Sequence, residues 1–402
     1  MRYSWNAYPQ YAYSQVFYDK ADRWIIRTAL WNITKSYYQF SDIKEQTNRL
    51  LLSQETASIE GCSYLSKNIV IIIGESYNKH HSSLYGYPLE TNPLLKDKKN
   101  LYVFNDVIAP YNVTTHSFKN FLSLASIGEE RHWYEAPLFP RLFVLAGYNV
   151  VFYSNQFFPS KEKDHYNESS GFLTHPKVAY YCFDKVNEKW HQYDMDLVHQ
   201  FETDRTALEK DSLNLIMFQL NGQHVPAKDK YPSDACYFTN KDINRADLSE
   251  DKRQVIAEYD NATRYNDAVV SEIIDIYKDK DAIIIYFADH GDEVYDYRDK
   301  IGRSFDFKEM GKDGYHCQFD VPFLIYLTNE YKNNHKEIAK EIENSTNKPF
   351  MLDDLPHLLI KLAGIKTKWY NPRRCIIDQE YDINRKRIIY STDKDYDKCI
   401  SE

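Results

Sequence analysis

Short apolar runs alternate with longer amphipathic stretches over most of the chain. The apolar runs are Asn68–Ile73, Asn149–Tyr153, Asn214–Leu220, Ala282–Ala288 and Pro322–Tyr326. Each is short and rich in β-forming residues, as strands buried inside a parallel sheet are. The amphipathic stretches that we predict to be helices include His116–Ser126, Leu138–Ala146 and Asp251–Tyr277. This alternation predicts an α/β sandwich with a mostly parallel central sheet and helices on both faces.

The start of the chain has a different pattern. Between Asp19 and Leu52 apolar residues recur with a loose helical period, and Gly61 ends it. We therefore divide the chain into an amphipathic helical connector, residues 1–60, and a main domain, residues 61–402. No apolar run approaches the roughly 18 residues that a membrane span needs. The first residues also lack the apolar core of a signal peptide.

Charge and cysteine content narrow the possible classes of protein. The net charge is −9, the pI is about 5.8, and no dense run of Lys and Arg occurs, so we expect no nucleic-acid partner. The six cysteines are widely spaced and form no CxxC pair, which argues against a cysteine-based zinc site. Because their number is even, two or three disulfides in an oxidising compartment are a hypothesis.

Candidate chemistry lies directly after two of the predicted strands. Glu75 follows the first strand within Gly74-Glu75-Ser76, and Asp289 and His290 follow the fourth. In parallel sheets, functional sites gather at the carboxyl ends of the strands. Carboxylate and imidazole ligands suit zinc or manganese. The alternative for Asp-His-Gly alone is an ordinary turn.

A threonine pair offers a hydroxyl for the same site. Thr114 and Thr115 lie where a loop meets a predicted helix. A hydroxyl there feels the helix N-terminus and a nearby cation, and both favour its alkoxide. The alternative is that Thr114 merely caps the helix.

Two histidines supply further candidates. His224 follows a predicted strand, and His316 precedes the last one. Either could protonate a leaving oxygen or hold phosphate oxygens. A lone loop histidine is more often simply solvated, so both roles depend on the metal hypothesis.

Eight segments of the chain carry recognisable motifs. In order they are Asn68–Pro93, Ala109–Ser123, Ala146–Gln156, Gln219–His224, Glu258–Val270, Phe287–Glu293, Asp320–Tyr326 and Asp353–Ile365, and the first reads NIVIIIGESYNKHHSSLYGYPLETNP. Together, and in this order, they resemble the sulfatase-like phosphoethanolamine transferases of the alkaline phosphatase superfamily. The resemblance covers the chain from about Asn68 to the mid-380s and implies the alkaline-phosphatase/sulfatase-like fold.

The resemblance also implies residue roles. It implies a metal site, with zinc as the ion and manganese as the alternative, formed by Glu75, Thr114, Asp289 and His290. Ser117 and Ser123 match the small residues that follow the family's nucleophile, which favours Thr114 over Thr115, although a shift of register would leave Thr115 possible.

Substrate contacts follow from the same resemblance. His224 matches a Gly-x-His segment that holds the substrate phosphate. Asn155 matches a Ser-Asn-Gln segment near the substrate. His316 is taken as the equivalent of a family histidine, although Asp320 here holds the position directly before Val-Pro.

The implied reaction moves phosphoethanolamine from phosphatidylethanolamine, through a phospho-threonine, to lipid A, an LPS-core sugar or another envelope glycan. The alternatives are a phosphodiesterase or phosphomonoesterase with the same residues, and an inactive binding protein on this fold. Sulfatase activity is excluded on chemistry, because formylglycine needs Cys or Ser within C/S-x-P-x-R, and no such motif occurs at the nucleophile position.

Family members carry N-terminal membrane helices, and their catalytic domain lies on the periplasmic face of the bacterial inner membrane. This chain lacks the anchor, so we expect either a shortened form of a longer protein or a naturally short reading frame. Residues 1–60 would then lie along the membrane surface, and we expect a monomer. The loops Pro159–His175 and Lys228–Ser249 are the candidates for acceptor choice.

Overall fold

A computed structural model describes residues 41–156, 172–173, 175–209, 213–391 and 394–401. The chain divides into two compact units, Met1–Asn48 and Arg49–Glu402. Of the first unit only residues 41–48 are described, and they are helical. The first 40 residues of the predicted connector, residues 1–60, lie outside the described residues, as does most of the Pro159–His175 loop.

The order of elements follows the predicted alternation. The strands are β1 Gly61–Cys62, β2 Asn68–Gly74, β3 Leu101–Phe104, β4 Val107–Ile108, β5 Asn149–Ser154, β6 Lys185–Val186, β7 Asn214–Gln219, β8 Ala282–Ala288, β9 Phe323–Leu327, β10 Phe350–Met351 and β11 Ile365–Lys366. The helices are α1 at residues 41–55, α2 Pro93–Lys96, α3 Thr114–Leu122, α4 Phe139–Leu145, α5 Pro176–Cys182, α6 Asp194–Leu208, α7 Glu250–Ile276, α8 Phe307–Phe319, α9 Asn329–Asn334, α10 Lys336–Glu343, α11 Leu355–Ala363 and α12 Tyr396–Cys399.

A seven-stranded sheet forms the centre, in the order β3-β9-β8-β2-β7-β5-β6. β2 pairs in parallel with β7 and β8, and β5 pairs in parallel with β7 and β6. β9 runs antiparallel between β8 and β3. The prediction of a mostly parallel central sheet is therefore confirmed, with one strand reversed.

Burial explains why these strands hold the centre. Every residue of β5, β7 and β8 is buried, and in β2 only Asn68 is partly exposed. Side chains alternate between the two faces of a strand, so burial of all of them requires cover on both faces. The run Ile69–Ile73 supplies apolar side chains to both layers, and the apolar runs of β7 and β8 flank it.

Strand register sets the position of the site. Ile73 lies beside Gln219 of β7, and Gly74 lies beside Ala288 of β8. These parallel strands therefore end at one edge, and the residues that follow them meet there. Glu75, Leu220 and Asp289 are the first residues beyond that edge.

The disulfide hypothesis is wrong for this fold. All six cysteines lie within the described residues, and all six are free thiols: Cys62, Cys182, Cys236, Cys317, Cys375 and Cys399. An even number of cysteines carries no information about which of them are neighbours in space. Within the described ranges, no helix combines the length and the apolar character that crossing a membrane requires.

Candidate metal centre and nucleophile

Three predicted ligands meet at the carboxyl edge of the sheet. Glu75, Asp289 and His290 each offer one ligand atom, and these atoms lie within 4.8 Å of one another. The Nε2 atom of His290 is 3.3 Å from Glu75 Oε1 and 3.5 Å from Asp289 Oδ2. All three side chains are buried. We call these three residues the strand-end group.

One carboxyl oxygen of Asp289 has no hydrogen-bond partner in this group. Its Oδ1 accepts hydrogen bonds from the backbone N–H groups of Ser76, at 3.2 Å, and His290, at 2.8 Å. Its buried Oδ2 has no hydrogen-bond partner among the described residues. Burial, together with the charge of Glu75, raises the pKa of Asp289. A cation beside Oδ2 would relieve that cost, so the donor set fits a metal ion.

The pKa of Glu75 is shifted in the opposite direction, below its ordinary value. Burial alone would raise its pKa, but the neighbouring imidazoles of His290 and His224 and the hydroxyl of Ser76 outweigh burial, so its pKa lies below the ordinary value. Ser76 donates to Glu75 Oε1 at 2.7 Å. The carboxylate therefore stays ionised, as a metal ligand requires.

The orientation of His290 also suits a ligand. Its Nδ1 lies 2.8 Å from the carbonyl oxygen of Gly291, which can only accept, so Nδ1 carries the hydrogen. The guanidinium of Arg303 can only donate, and it lies 2.7 Å from Nε2. Because Nδ1 is held by Gly291, Nε2 is the nitrogen that could bind a metal ion, and it faces the carboxylates.

Thr114 reaches this group from the start of α3. Its hydroxyl lies 3.1 and 3.3 Å from the two oxygens of Glu75 and 3.2 Å from His290 Nε2. Val113 holds the N-cap position, and no side chain caps this helix. The hydroxyl of Thr114 therefore contacts the strand-end group and does not cap the helix. Thr115 has no side-chain hydrogen bond to any described residue.

The two other predicted histidines, His224 and His316, have different surroundings in the structure. His224 is exposed, its Nδ1 lies 2.9 Å from the carbonyl of Val225, and it is close enough to lower the pKa of Glu75. His316 contacts Asp320, not the strand-end group, with 3.1 Å from Nδ1 to Oδ2. Its role at the nucleophile stays a prediction.

Asn155 is fully buried and its amide is occupied by protein groups. It donates to Asp194 Oδ1 at 2.9 Å and accepts from the backbone of His191 at 2.8 Å. The member of the Ser-Asn-Gln segment that contacts the strand-end group is Gln156, which donates to Glu75 Oε2 at 3.0 Å. The substrate role of Asn155 stays a prediction.

Sequence reasoning missed Gln156 and Arg303. Gln156 carried a usable signal, because it follows β5 at the same edge of the sheet as Glu75. Arg303 carried none, since it lies in a loop well beyond β8 and reaches His290 only through the fold.

Gly222 allows the loop after β7 to pack closely against the loop after β2. Gly222 has φ of +49°, and a Cβ on it would lie 2.9 Å from the backbone N and O of Glu75. The next residue, Gln223, donates its N–H to the carbonyl of Glu75 at 3.1 Å. The loop that carries His224 is therefore packed backbone to backbone against the loop that carries Glu75.

The chain is similar in sequence to proteins that are named phosphoethanolamine transferases. The chain is 26% identical over 370 residues to phosphoethanolamine transferase EptC of Escherichia coli strain K12, covering 88% of this chain and 61% of that protein. It is 26% identical over 283 residues to phosphoethanolamine transferase EptA of Helicobacter pylori, covering 68% of this chain and 50% of that protein. The chain thus spans 61% or less of the length of these relatives.

Solved structures agree in fold. The C-terminal periplasmic domain of EcEptC from Escherichia coli superposes with a TM-score of 0.71 at 25% identity, covering 85% of this chain and 95% of that domain. The same domain in complex with Zn gives a TM-score of 0.70. The family profile described as Sulfatase matches residues 67–365. The chain belongs to the sulfatase family, and the predicted resemblance to its phosphoethanolamine transferase branch is confirmed.

Proposed function

We propose that the chain transfers phosphoethanolamine from phosphatidylethanolamine to a cell-envelope acceptor such as lipid A or an LPS-core sugar. The names of the relatives support this activity. The observation that carries it is the hydroxyl of Thr114, held between Glu75 and His290 at the start of α3. A threonine in this place suits a covalent phosphoryl intermediate and cannot become formylglycine.

The metal that we propose is zinc, with manganese as the alternative. Glu75, Thr114, Asp289 and His290 would hold it. When bound, such an ion lowers the pKa of a ligating hydroxyl and polarises a phosphoryl oxygen. The crystal structure of the EcEptC domain in complex with Zn supports this choice.

The protein's own groups account for the remaining steps. The oxygen of Thr114 loses its proton and attacks the donor phosphorus, the bond from phosphorus to the diacylglycerol oxygen breaks, and that oxygen takes up the proton that Thr114 has lost. The helix N-terminus favours negative charge on the attacking oxygen. A phosphoethanolamine-threonine remains, and an acceptor hydroxyl or phosphate then displaces Thr114.

Three side chains face the charge that develops on the phosphoryl oxygens. His224 is our proposed phosphate contact, and Arg303 adds a permanent cation beside His290. Gln156 offers an amide hydrogen at Glu75. Donors fixed in a buried site stabilise such charge without having to reorganise.

The nucleophile is tested by intact-mass measurement after incubation with phosphatidylethanolamine vesicles. The wild type should gain the mass of one phosphoethanolamine, and Thr114→Ala should gain none. Turnover of Thr114→Ala should fall by a factor on the order of 1,000 or more, as for other lost nucleophiles. Thr115→Ala is the matched control and should keep both the adduct and the turnover. An adduct on Thr114→Ala would refute the assignment.

The setting of the reaction is also a proposal. We place the chain at the periplasmic face of the inner membrane as a monomer, with residues 1–60 on the membrane surface. Liposome flotation with and without residues 1–60 tests that placement. Product analysis with and without lipid A separates transfer from hydrolysis, because a hydrolase releases phosphoethanolamine equally in both.

A further inference from the structure

A cavity of about 210 Å³ lies beside the proposed catalytic site. Its walls come from the loop after β7, the first half of α7 and the loop after β8. Most of the lining is aliphatic, with Tyr259 as its one aromatic side chain. Its charged lining residues are Lys228, Glu258, Asp292 and Glu293.

Two of these carboxylates have no cation in direct contact. Asp292 is 2% exposed, and its only hydrogen bond to described residues comes from the backbone N–H of Glu293, at 2.9 Å. Glu258 is half-buried and has only a long contact, 3.4 Å, from the amide of Gln254. Neither forms an ion pair within the described part of the chain. Arg303 and His290 act on Asp292 electrostatically without forming an ion pair with it, so a ligand cation that touches its carboxylate would stabilise it further.

The other charged lining residues do not supply that cation. Glu293 is already paired with the guanidinium of Arg298, whose Nε lies 2.7 Å from Oε2. Lys228 is exposed and forms no ion pair with any described residue. The cavity therefore combines aliphatic walls with two carboxylates, Asp292 and Glu258, that no ion pair within the described residues neutralises.

The cavity adjoins the residues that would handle the phosphoryl group. Asp292 follows His290 by two positions, and Val225, in the lining, directly follows His224. A phosphoryl group held by His224 and the strand-end group would thus have this cavity as a neighbour. Whatever short substituent the phosphoryl group carries can extend into it.

We propose that this cavity binds the primary ammonium group of the transferred phosphoethanolamine, with Asp292 as the main acceptor and Glu258 as the second. The proposal rests on the proposed function of the same site. A primary ammonium donates three hydrogen bonds, which carboxylates accept. Quaternary ammonium groups are instead recognised by cages of several aromatic rings. A single tyrosine does not make such a cage, so the cavity should discriminate against choline.

The test compares three chromogenic probes, the p-nitrophenyl phosphodiesters of ethanolamine, ethanol and choline, with the full chain loaded with zinc. We expect the wild type to favour the ethanolamine ester over the ethyl ester by about tenfold or more in kcat/KM, as a lost hydrogen bond to a charged group implies. The choline ester should be no better than the ethyl ester. Asp292→Asn should lower kcat/KM for the ethanolamine ester alone.

Two further variants of α7 complete the design. Glu258→Gln should reduce the preference about threefold or more, and it decides the proposal if Asp292→Asn fails to fold. Glu272→Gln, on the same helix but outside the cavity, should keep the wild-type preference. Equal loss on all three probes in Asp292→Asn, or an unchanged preference in both cavity variants, would overturn the ammonium site and leave the transferase proposal standing. If the wild type cleaves none of the probes, both proposals fall.

Discussion

Two groups of histidine and carboxylate side chains in the described part of the chain have the spacing of a metal site, yet they differ in charge balance. The strand-end group is fully buried, and Asp289 Oδ2 has no partner there. The second, which we call the Asp320 group, consists of His80, His316 and Asp320. Both groups contain imidazole and carboxylate, so ligand type alone does not separate them.

The Asp320 group is already neutralised by the protein. Asp320 Oδ2 lies 3.1 Å from a ring nitrogen of His80 and of His316, and 3.3 Å from Lys79 Nζ. Its other oxygen accepts from the hydroxyl of Tyr396. Burial would raise the pKa of Asp320, but these hydrogen bonds and the Lys79 charge hold it well below its ordinary value. The two groups thus differ in whether a permanently charged side chain pairs directly with the carboxylate, as Lys79 does with Asp320.

The largest expected effect is on metal affinity at the strand-end group. Asp289→Asn removes one charged ligand of the four proposed. Structural zinc sites bind the ion with roughly 10–16 kcal/mol in total, so the loss of one ligand should weaken zinc binding by about 3 kcal/mol or more. Competition with a chromogenic chelator measures the change. Asp320→Asn is the matched variant and should bind zinc as tightly as the wild type. Equal losses in both variants would remove the distinction between the groups.

A buried histidine outside both groups extends the comparison to pH. His81 lies between two carboxylates, with Nδ1 at 2.7 Å from Asp260 and Nε2 at 3.0 Å from Asp296. Burial alone would lower its pKa, but the charges of Asp296 and Asp260 raise it to about 10. The rings of Tyr87 and Tyr259 cover the imidazole. His81 is therefore a protonated cation that the fold itself provides.

Deprotonation of His81 should lower the free energy of unfolding at alkaline pH. The folded-state pKa lies above the unfolded one, so this contribution is complete below about pH 6.5 and is lost as pH rises towards 10. We expect the free energy of unfolding to fall by about 2–3 kcal/mol between pH 7 and 10. Urea unfolding of wild type and His81→Asn measures it, and the variant should show a flatter profile. Parallel profiles would show that His81 is not charged.

The smallest expected effect is on folding at the Asp320 group. Asp320→Asn leaves Lys79 without its carboxylate, which should cost about 1–2 kcal/mol, less than for a fully buried pair because His80 and His316 reach solvent. The exposed Asp234→Asn is the control and should change nothing. The difference between wild type and Asp320→Asn should begin to shrink as pH falls below about 4 and should go on shrinking towards the much lower folded-state pKa, because a lowered carboxyl pKa gives its full stabilisation only above the unfolded value. A difference that stays constant below about pH 4 would point to packing instead.

The sequence predicted the buried strands well because burial leaves a visible pattern. The predicted Ala282–Ala288 is strand β8 as observed, and the others agree within two residues at either end. The edge strands β3 and β6 were not predicted. Their residues are mostly only partly buried, so no continuous apolar run marks them.

The sequence predicted those residues of the site that directly follow the ends of parallel strands. Glu75, Asp289 and His290 were found because the end of a parallel strand is a position that sequence reveals. Arg303 and the partner-free Oδ2 of Asp289 depend on how loops fold over the edge, and loop geometry has no comparable periodicity. His80 and Lys79 beside Asp320 were missed for the same reason.

The contact at Gly222 restricts which residues can stand at the inner end of the loop after β7. Because any larger residue there would collide with the main chain of Glu75, this turn requires a glycine, whereas the segment from Lys228 to Ser249 lies further along the chain. We expect that lengthening this later segment would leave the position of Glu75 unchanged, so its predicted role in acceptor choice can be examined by insertion without disturbing the strand-end group.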